Sequence, residues 1–175
     1  MDIAWKKRKE KKEKVGYRTL VRKQFVLPNG ESAEFTTVDY GRGAALVIAL
    51  TVDNKFIVAR QFRPGPERIM DELPGGFIEN DEDPEVAAAR EFREETGYVG
   101  ELEFLGFLAR DAYVQGDYYY YLARKCQKVD DVPASGEHEF IEIVEISLED
   151  LLDNIRTGKL TDAGGALLAL RKLGW

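Results

Sequence analysis

The stretch that most restricts how this chain can fold runs from Gly75 to Gly97, GGFIENDEDPEVAAAREFREETG. Two adjacent glycines mark a turn, and the second half carries the start and stop signals of a helix. Asp83 suits the N-cap, and Pro84 suits the first helical position, where a missing N–H loses no partner. Val86 to Ala89 continue the helix, and Gly97 can take the left-handed conformation that ends it. On that helix Glu91, Glu94 and Glu95 stand at i, i+3 and i+4 and share one face. Ala88, Ala89, Phe92 and Thr96 lie on another side, expected against a core. Carboxylates so spaced repel one another by roughly a few tenths of a kcal/mol per pair. A divalent cation would relieve that repulsion, and hard oxygen donors suit Mg2+ or Mn2+. Arg90, four residues before Glu94, can hold part of the charge in place, and Glu82 can do so through Arg90.

Charge and length narrow the remaining classes. A chain of 175 residues with a net charge of −7 is one domain in size and does not read as a general nucleic-acid binder. An anionic small substrate stays compatible, because a bound metal reverses the local sign of a site. With Cys126 as its single cysteine, the chain has no intrachain disulfide and no cysteine-rich zinc site. The N-terminus lacks an apolar leader, and no apolar run approaches membrane-spanning length. The expectation is a cytoplasmic protein with no membrane partner.

In chain order, Lys6 to Lys14 (KKRKEKKEK) reads as a solvated arm or a helix start, with Trp5 as its anchor or as a contact to a partner subunit. Arg18 to Leu27 and Ala33 to Tyr40 read as paired strands about a turn at Pro28-Asn29-Gly30. Ala44 to Thr51, AALVIALT, is a core strand, and Phe56 to Phe62 returns from it. Leu102 to Ala109 reads as a strand and Arg110 to Asp117 as a polar loop. Tyr118 to Leu122 then forms a strand with two tyrosines facing in and two facing out. Ser147 and Asp150 frame a capping box for a helix to about Arg156, and Asp162 caps a last helix through Leu173. These elements predict an α/β sandwich, a mixed sheet with helices on both sides. The expected organisation is a basic arm (1–16), N-terminal antiparallel strands (17–43) and a main domain (44–175).

Gly76, five residues, Glu82, seven residues, Arg90-Glu91-Phe92, one residue, Glu94-Glu95, one residue, Gly97 and Tyr98 fill every position of G-x5-E-x7-R-E-U-x-E-E-x-G-U, with U a bulky apolar residue. The chain thus resembles the Nudix hydrolases. Arg60-Gln61-Phe62-Arg63-Pro64 and Glu72-Leu73-Pro74-Gly75-Gly76 look like R-Q-aromatic-R-P and E-L-P-A-G of the ADP-ribose pyrophosphatase and nucleoside diphosphate sugar branch. Gly75 stands where that branch often has alanine, and the carbonyl required there places no demand on a side chain. The likeness implies the Nudix fold. It also implies Mg2+ (or Mn2+) held by Glu91, Glu94, Glu95 and the Gly75 carbonyl, with Glu94 also counted as catalytic and Gly76, Glu82 and Arg90 in support. Arg63, Arg60 and Glu72 are implied to bind substrate. In a glutamate-rich loop, Glu139 matches the catalytic base, with Glu137 a close second; His138 between them is not required. Ala109-Arg110-Asp111-Ala112-Tyr113 departs from the branch's Ser-Pro-Gly turn and leaves the substrate open. The implied reaction is ADP-ribose to AMP and ribose 5-phosphate in a homodimer joined by the N-terminal strands. GDP-mannose is the alternative substrate, and a non-catalytic nucleotide-sugar sensor is the alternative function.

Overall fold

A computed structural model describes residues 3–131 and 140–175. In chain order the strands are β1 (Lys6–Val15), β2 (Arg18–Val26), β3 (Ser32–Asp39), β4 (Ala44–Thr51), β5 (Phe56–Arg63), β6 (Arg68–Glu72) and β7 (Gly75–Phe77). Helix α1 (Pro84–Thr96) follows, then β8 (Tyr98–Asp111), β9 (Val114–Lys128), β10 (Glu142–Ile146), α2 (Leu148–Arg156) and α3 (Ala163–Leu173). The chain divides into two compact units, residues 1–43 with 109–117, and residues 44–108 with 118–175.

In the first unit β1, β2 and β3 form an antiparallel meander, and β3 pairs in parallel with the start of β9 at Val38–Val114. The basic run is therefore neither an arm nor a helix start but a strand, fully exposed and hydrogen-bonded to β2 along its length. The ladder satisfies its backbone while its charged side chains stay in water. Trp5 packs on Phe25 and Phe35 at ring distances of 5.8 and 5.0 Å. The segment read as a polar loop is a tight hairpin. β8 continues to Asp111, whose Oδ1 accepts the Tyr113 N–H at 2.8 Å, and β9 begins at Val114.

The second unit is built on β4, buried at every residue. β9 lies parallel to it on one side, while β5 and β7 pair with it antiparallel, and β6 and β10 extend from β5. Leu46, Ile48 and Leu50 point into one core with Leu151, Ala166 and Leu170 of α2 and α3. Ala45, Val47 and Ala49 point into the other with Ala87, Ala88 and Phe92 of α1. This is the expected sandwich, and it explains why β4 reads as an unbroken apolar run: a strand covered on both faces has no polar side. The same reason corrects the tyrosine run. Tyr118 and Tyr120 join the first core and Tyr119 and Tyr121 the second, so no tyrosine is left facing water. On α1 the core residues are Ala87, Ala88, Phe92 and Thr96, while Ala89 is exposed. Ala87 takes the place expected of Ala89 because the buried face is centred between the Ala88 and Glu91 directions.

Candidate active site

The ends of α1 are fixed as its residues dictate. Asp83 accepts the Glu85 N–H at 2.8 Å, Pro84 occupies the first turn, and Gly97 closes the helix at φ 73° with its N–H on the Arg93 carbonyl. This rotation turns Glu91 and Glu95 toward β7 and leaves Glu94 on the outer side, with 63% of its side chain exposed.

The glycine pair expected to mark a turn lies instead in strand β7, paired with β4, and β7 meets those acids through its two glycines, each for a different reason. At Gly75 (φ 151°) a Cβ would fall 2.2 Å from the Ala45 carbonyl oxygen and 2.7 Å from the Leu46 Cα. Backbone crowding by β4 therefore demands glycine, whatever role its carbonyl has, and the alanine common in the branch would not fit here. At Gly76 a Cβ would fall 2.4–2.6 Å from the Glu91 carboxylate atoms, so this glycine makes room for the acid itself. Glu95 Oε2 accepts the Gly75 N–H at 2.8 Å.

Arg90 ties the acids together. Its Nε and Nη2 both reach Glu82 at 2.9 Å, its Nη1 reaches Glu91 at 2.8 Å and Glu94 at 3.4 Å, and Nη2 also meets the Phe77 carbonyl. The Arg90 fork, helped by the Glu79 N–H, brings the Glu82 carboxyl down to about 2. The Arg90 guanidinium is held charged in turn, by Glu82 first and then by Glu91.

Arg63 Nε donates to Glu72 at 2.7 Å and its Nη2 to the second oxygen, a two-point pair that Gln61 joins at 3.3 Å. Arg60 is placed differently. Its Nε and Nη2 lie 2.7 and 3.0 Å from the two oxygens of Asp71, whose residue is fully buried, with Asn154 and Lys159 adding bonds at 2.8 and 3.2 Å. Burial alone would raise the Asp71 pKa, but Arg60 and Lys159 outweigh it and the net shift is downward. Arg60 is thus committed to a structural pair. Glu137, His138 and Glu139 lie outside the described residues.

Sequence reasoning missed Asp71, Asn154 and Lys159. Asp71 had one local signal, an acid beside Met70 in the strand that returns from β5 and Arg60. Asn154 and Lys159 had none, being more than eighty residues distant in the chain.

The donor chemistry fits a divalent cation: carboxylates only, with Glu91 and Glu95 meeting the Gly75–Gly76 backbone in space kept clear of a Cβ. Among the described residues no three His, Cys, Asp or Glu side chains converge closely enough to hold a metal. Glu94 would have to rotate inward from solvent to complete the set.

Residues 41–164 match the NUDIX domain. The chain belongs to the Nudix family. It is a Nudix hydrolase, and its likeness falls in the ADP-ribose pyrophosphatase branch. It is 33% identical over 139 residues to the ADP-ribose pyrophosphatase of Bacillus subtilis (strain 168), spanning 78% of this chain and 75% of that protein. It is 34% identical, with the same coverage, to the methanol dehydrogenase activator of Bacillus methanolicus. A crystal structure of an ADP compounds hydrolase superposes with a TM-score of 0.82 over 97% of this chain and 94% of that one. At 20% identity, that last likeness concerns the fold alone. Among the described residues no helix is long and apolar enough to cross a membrane.

Proposed function

We propose that this Nudix hydrolase cleaves the diphosphate of nucleoside diphosphate sugars in a Mg2+-dependent reaction, with ADP-ribose going to AMP and ribose 5-phosphate. The observation that carries the reading is the meeting of Glu91 and Glu95 with the Gly75–Gly76 backbone of β7. An identity of 33% to an ADP-ribose pyrophosphatase, over 75% of that protein, supports the substrate class.

In this reading Glu91, Glu94, Glu95 and the Gly75 carbonyl hold the metal. Bound there, it would neutralise phosphate charge and lower the pKa of a coordinated water. Arg90 and Glu82 keep the acids oriented, so that their mutual repulsion does not splay them apart when the site is empty. Arg63, held in plane by Glu72, offers the diphosphate a cation at a fixed position, and a guanidinium fork suits phosphate oxygens. Glu139 accepts the proton of the attacking water, with Glu137 able to take that part. The protein acts as a homodimer joined through β1 to β3, which light scattering on the purified chain tests.

The deciding experiment is hydrolysis of ADP-ribose, GDP-mannose, UDP-glucose, NADH, a diadenosine polyphosphate and a nucleoside triphosphate, with Mg2+ and then with EDTA. Turnover confined to sugar nucleotides and abolished by EDTA is the expected result. Turnover mainly of triphosphates overturns the substrate class. Glu95→Gln, whose amide oxygen can still accept the Gly75 N–H, is expected to lower kcat by about a hundredfold or more without altering the melting temperature. Wild-type activity in that variant sinks the metal assignment.

A further inference from the structure

The antiparallel register of β5 and β6 sets Ala59 opposite Glu72, Gln61 opposite Met70 and Arg63 opposite Arg68. These three rows share one face of the hairpin, because side chains alternate along a strand. The two arginines therefore stand directly across from each other, where like charges repel. Arg68 is drawn aside, its Nη2 donating to the Gly158 carbonyl at 2.7 Å and its Nε meeting Met70 Sδ at 3.2 Å. Arg63 reaches the other way, past the Gln61–Met70 row, to Glu72. The Ala59 side chain, opposite Glu72, offers that carboxylate no partner. In the middle row Met70 is apolar and buried. Gln61, only 8% exposed, donates its Nε2 at 3.3 Å to Glu72 Oε2, the oxygen that Arg63 Nη2 also meets.

We infer that Gln61 is a positioning residue for substrate binding: it holds the Glu72 carboxylate, and through it fixes the plane in which the Arg63 guanidinium meets a diphosphate. The inference rests on the hydrolase reading for the ligand of Arg63. Its physical basis is the order of burial along this row of contacts. The Glu72 side chain is 13% exposed and that of Arg63 41%, so the carboxylate is the anchored inner end and the guanidinium the end that reaches a ligand. A carboxylate held by one partner turns with that partner. A second donor, on a side chain packed into the sheet, holds it independently of Arg63. The backbone beneath is fixed as well, since the next residue, Asp71, is gripped from the opposite face by Arg60, Asn154 and Lys159. What Gln61 governs is therefore the Glu72 side chain itself. A free arginine gives up much rotamer freedom when it clamps an anion, and a fork already held in place gives up less.

The test compares the unmodified chain with Gln61→Met, which keeps the volume and removes the donor, and with Gln61→Asn, whose amide stops one methylene short of Glu72. Affinity for the α,β-methylene analogue of ADP-ribose, whose diphosphate cannot be hydrolysed, is measured by calorimetry. Alongside it run kcat and KM for ADP-ribose and the NMR signal of the Arg63 Nε–H. Gln61→Met is expected to weaken analogue binding and raise KM by about three- to tenfold, the scale of immobilising one long side chain, with kcat within about twofold. The Arg63 Nε–H signal is expected to broaden. In an Arg63→Lys chain, whose ammonium cannot make the fork, Gln61→Met is expected to add no further loss. A folded Gln61→Met with unchanged analogue affinity and KM overturns the inference, and so does an undiminished loss in the Arg63→Lys chain. If Gln61→Met does not fold, Gln61→Asn decides. Weakening of about twofold or more supports the inference, and unchanged affinity overturns it. If the unmodified chain neither binds the analogue nor cleaves ADP-ribose, the functional reading falls. The hold on Arg63 then stands if its Nε–H signal broadens in Gln61→Met, and is overturned if the signal stays as it was.

Discussion

Replacing Gly76 with alanine separates the active site from the fold. Gly76 does not lie among the positive-φ glycines, so alanine meets no backbone strain there, and the obstacle is space alone. The added Cβ would stand 2.4 Å from the Glu91 carboxylate carbon, and ordinary contact begins near 3.4 Å. Glu91 must therefore retreat by about 1 Å. Its carboxylate is the far end of a flexible side chain, so the retreat costs the fold little. Glycine-to-alanine replacement also stiffens the unfolded chain, worth about 0.4–1 kcal/mol in favour of folding. Misplacing a catalytic group by about 1 Å costs on the order of a hundredfold in rate, or about 2.7 kcal/mol in the barrier. The expected Gly76→Ala enzyme has kcat down about a hundredfold, weakened Mn2+ binding, and an unfolding midpoint near that of the unmodified chain. Assays of kcat, calorimetry with Mn2+ and thermal melts by circular dichroism report all three. Gly75→Ala is the contrast: its Cβ would strike the Ala45 and Leu46 backbone, which cannot step aside, so that variant is expected not to fold. Wild-type kcat in Gly76→Ala would refute the argument, and so would failure of Gly76→Ala to fold.

Other expectations follow from the ion pairs and burial. Arg60→Ala strips the bidentate partner from buried Asp71 and should cost about 3 kcal/mol in urea unfolding with KM for ADP-ribose little changed; raised KM at unchanged stability would return Arg60 to substrate binding. The Glu82 carboxyl is lowered from 4.5 to about 2 and that of Asp71 is lowered from 3.8, so their stabilisation is complete above the unfolded values and is lost as pH falls through the folded ones. Acid titration of Glu82→Gln should accordingly show a weaker loss of stability between about pH 4.5 and 2. Asp162 has the opposite sign: raised from 3.8 to about 6, it favours the fold most below 3.8, and that contribution disappears as pH rises through 6. Asp162→Asn should therefore gain stability relative to the unmodified chain between about pH 4 and 7, and a constant difference over that range would count against it. The Cys126 thiol, buried and pushed up to about 11, should resist a disulfide reagent at pH 8 until the protein is unfolded. Rapid labelling of the native chain would contradict its burial.

Much of this was readable in the chain because it depends on neighbours in sequence. The limits of α1 follow from Asp83, Pro84 and Gly97. The capping box of α2 forms between Ser147 and Asp150 as expected. The core strand announces its burial on both faces by running from Ala44 to Leu50 without a polar residue. The exceptions share a cause. Lys6 to Lys14 looked like an arm because charge hides strand character, and only pairing with β2 gives those backbones their partners. Asp162 looked like a cap because the residue type and position were right, yet its side chain makes no hydrogen bond to α3 and accepts the Thr161 hydroxyl instead.

By itself, then, the sequence determined the family, the sandwich, the helix that carries the acids and the identity of those acids, all of them properties of spacing and local propensity. Tertiary structure decided which acids face inward, why Gly75 and Gly76 must both be glycine, that Arg60 serves Asp71, and what holds the Glu72–Gly75 segment. Those depend on contacts between β4, β6, α1 and the α2–α3 connection. Contacts of that kind leave no periodic trace in the chain, because each is a single meeting of residues that folding alone brings within a few ångströms.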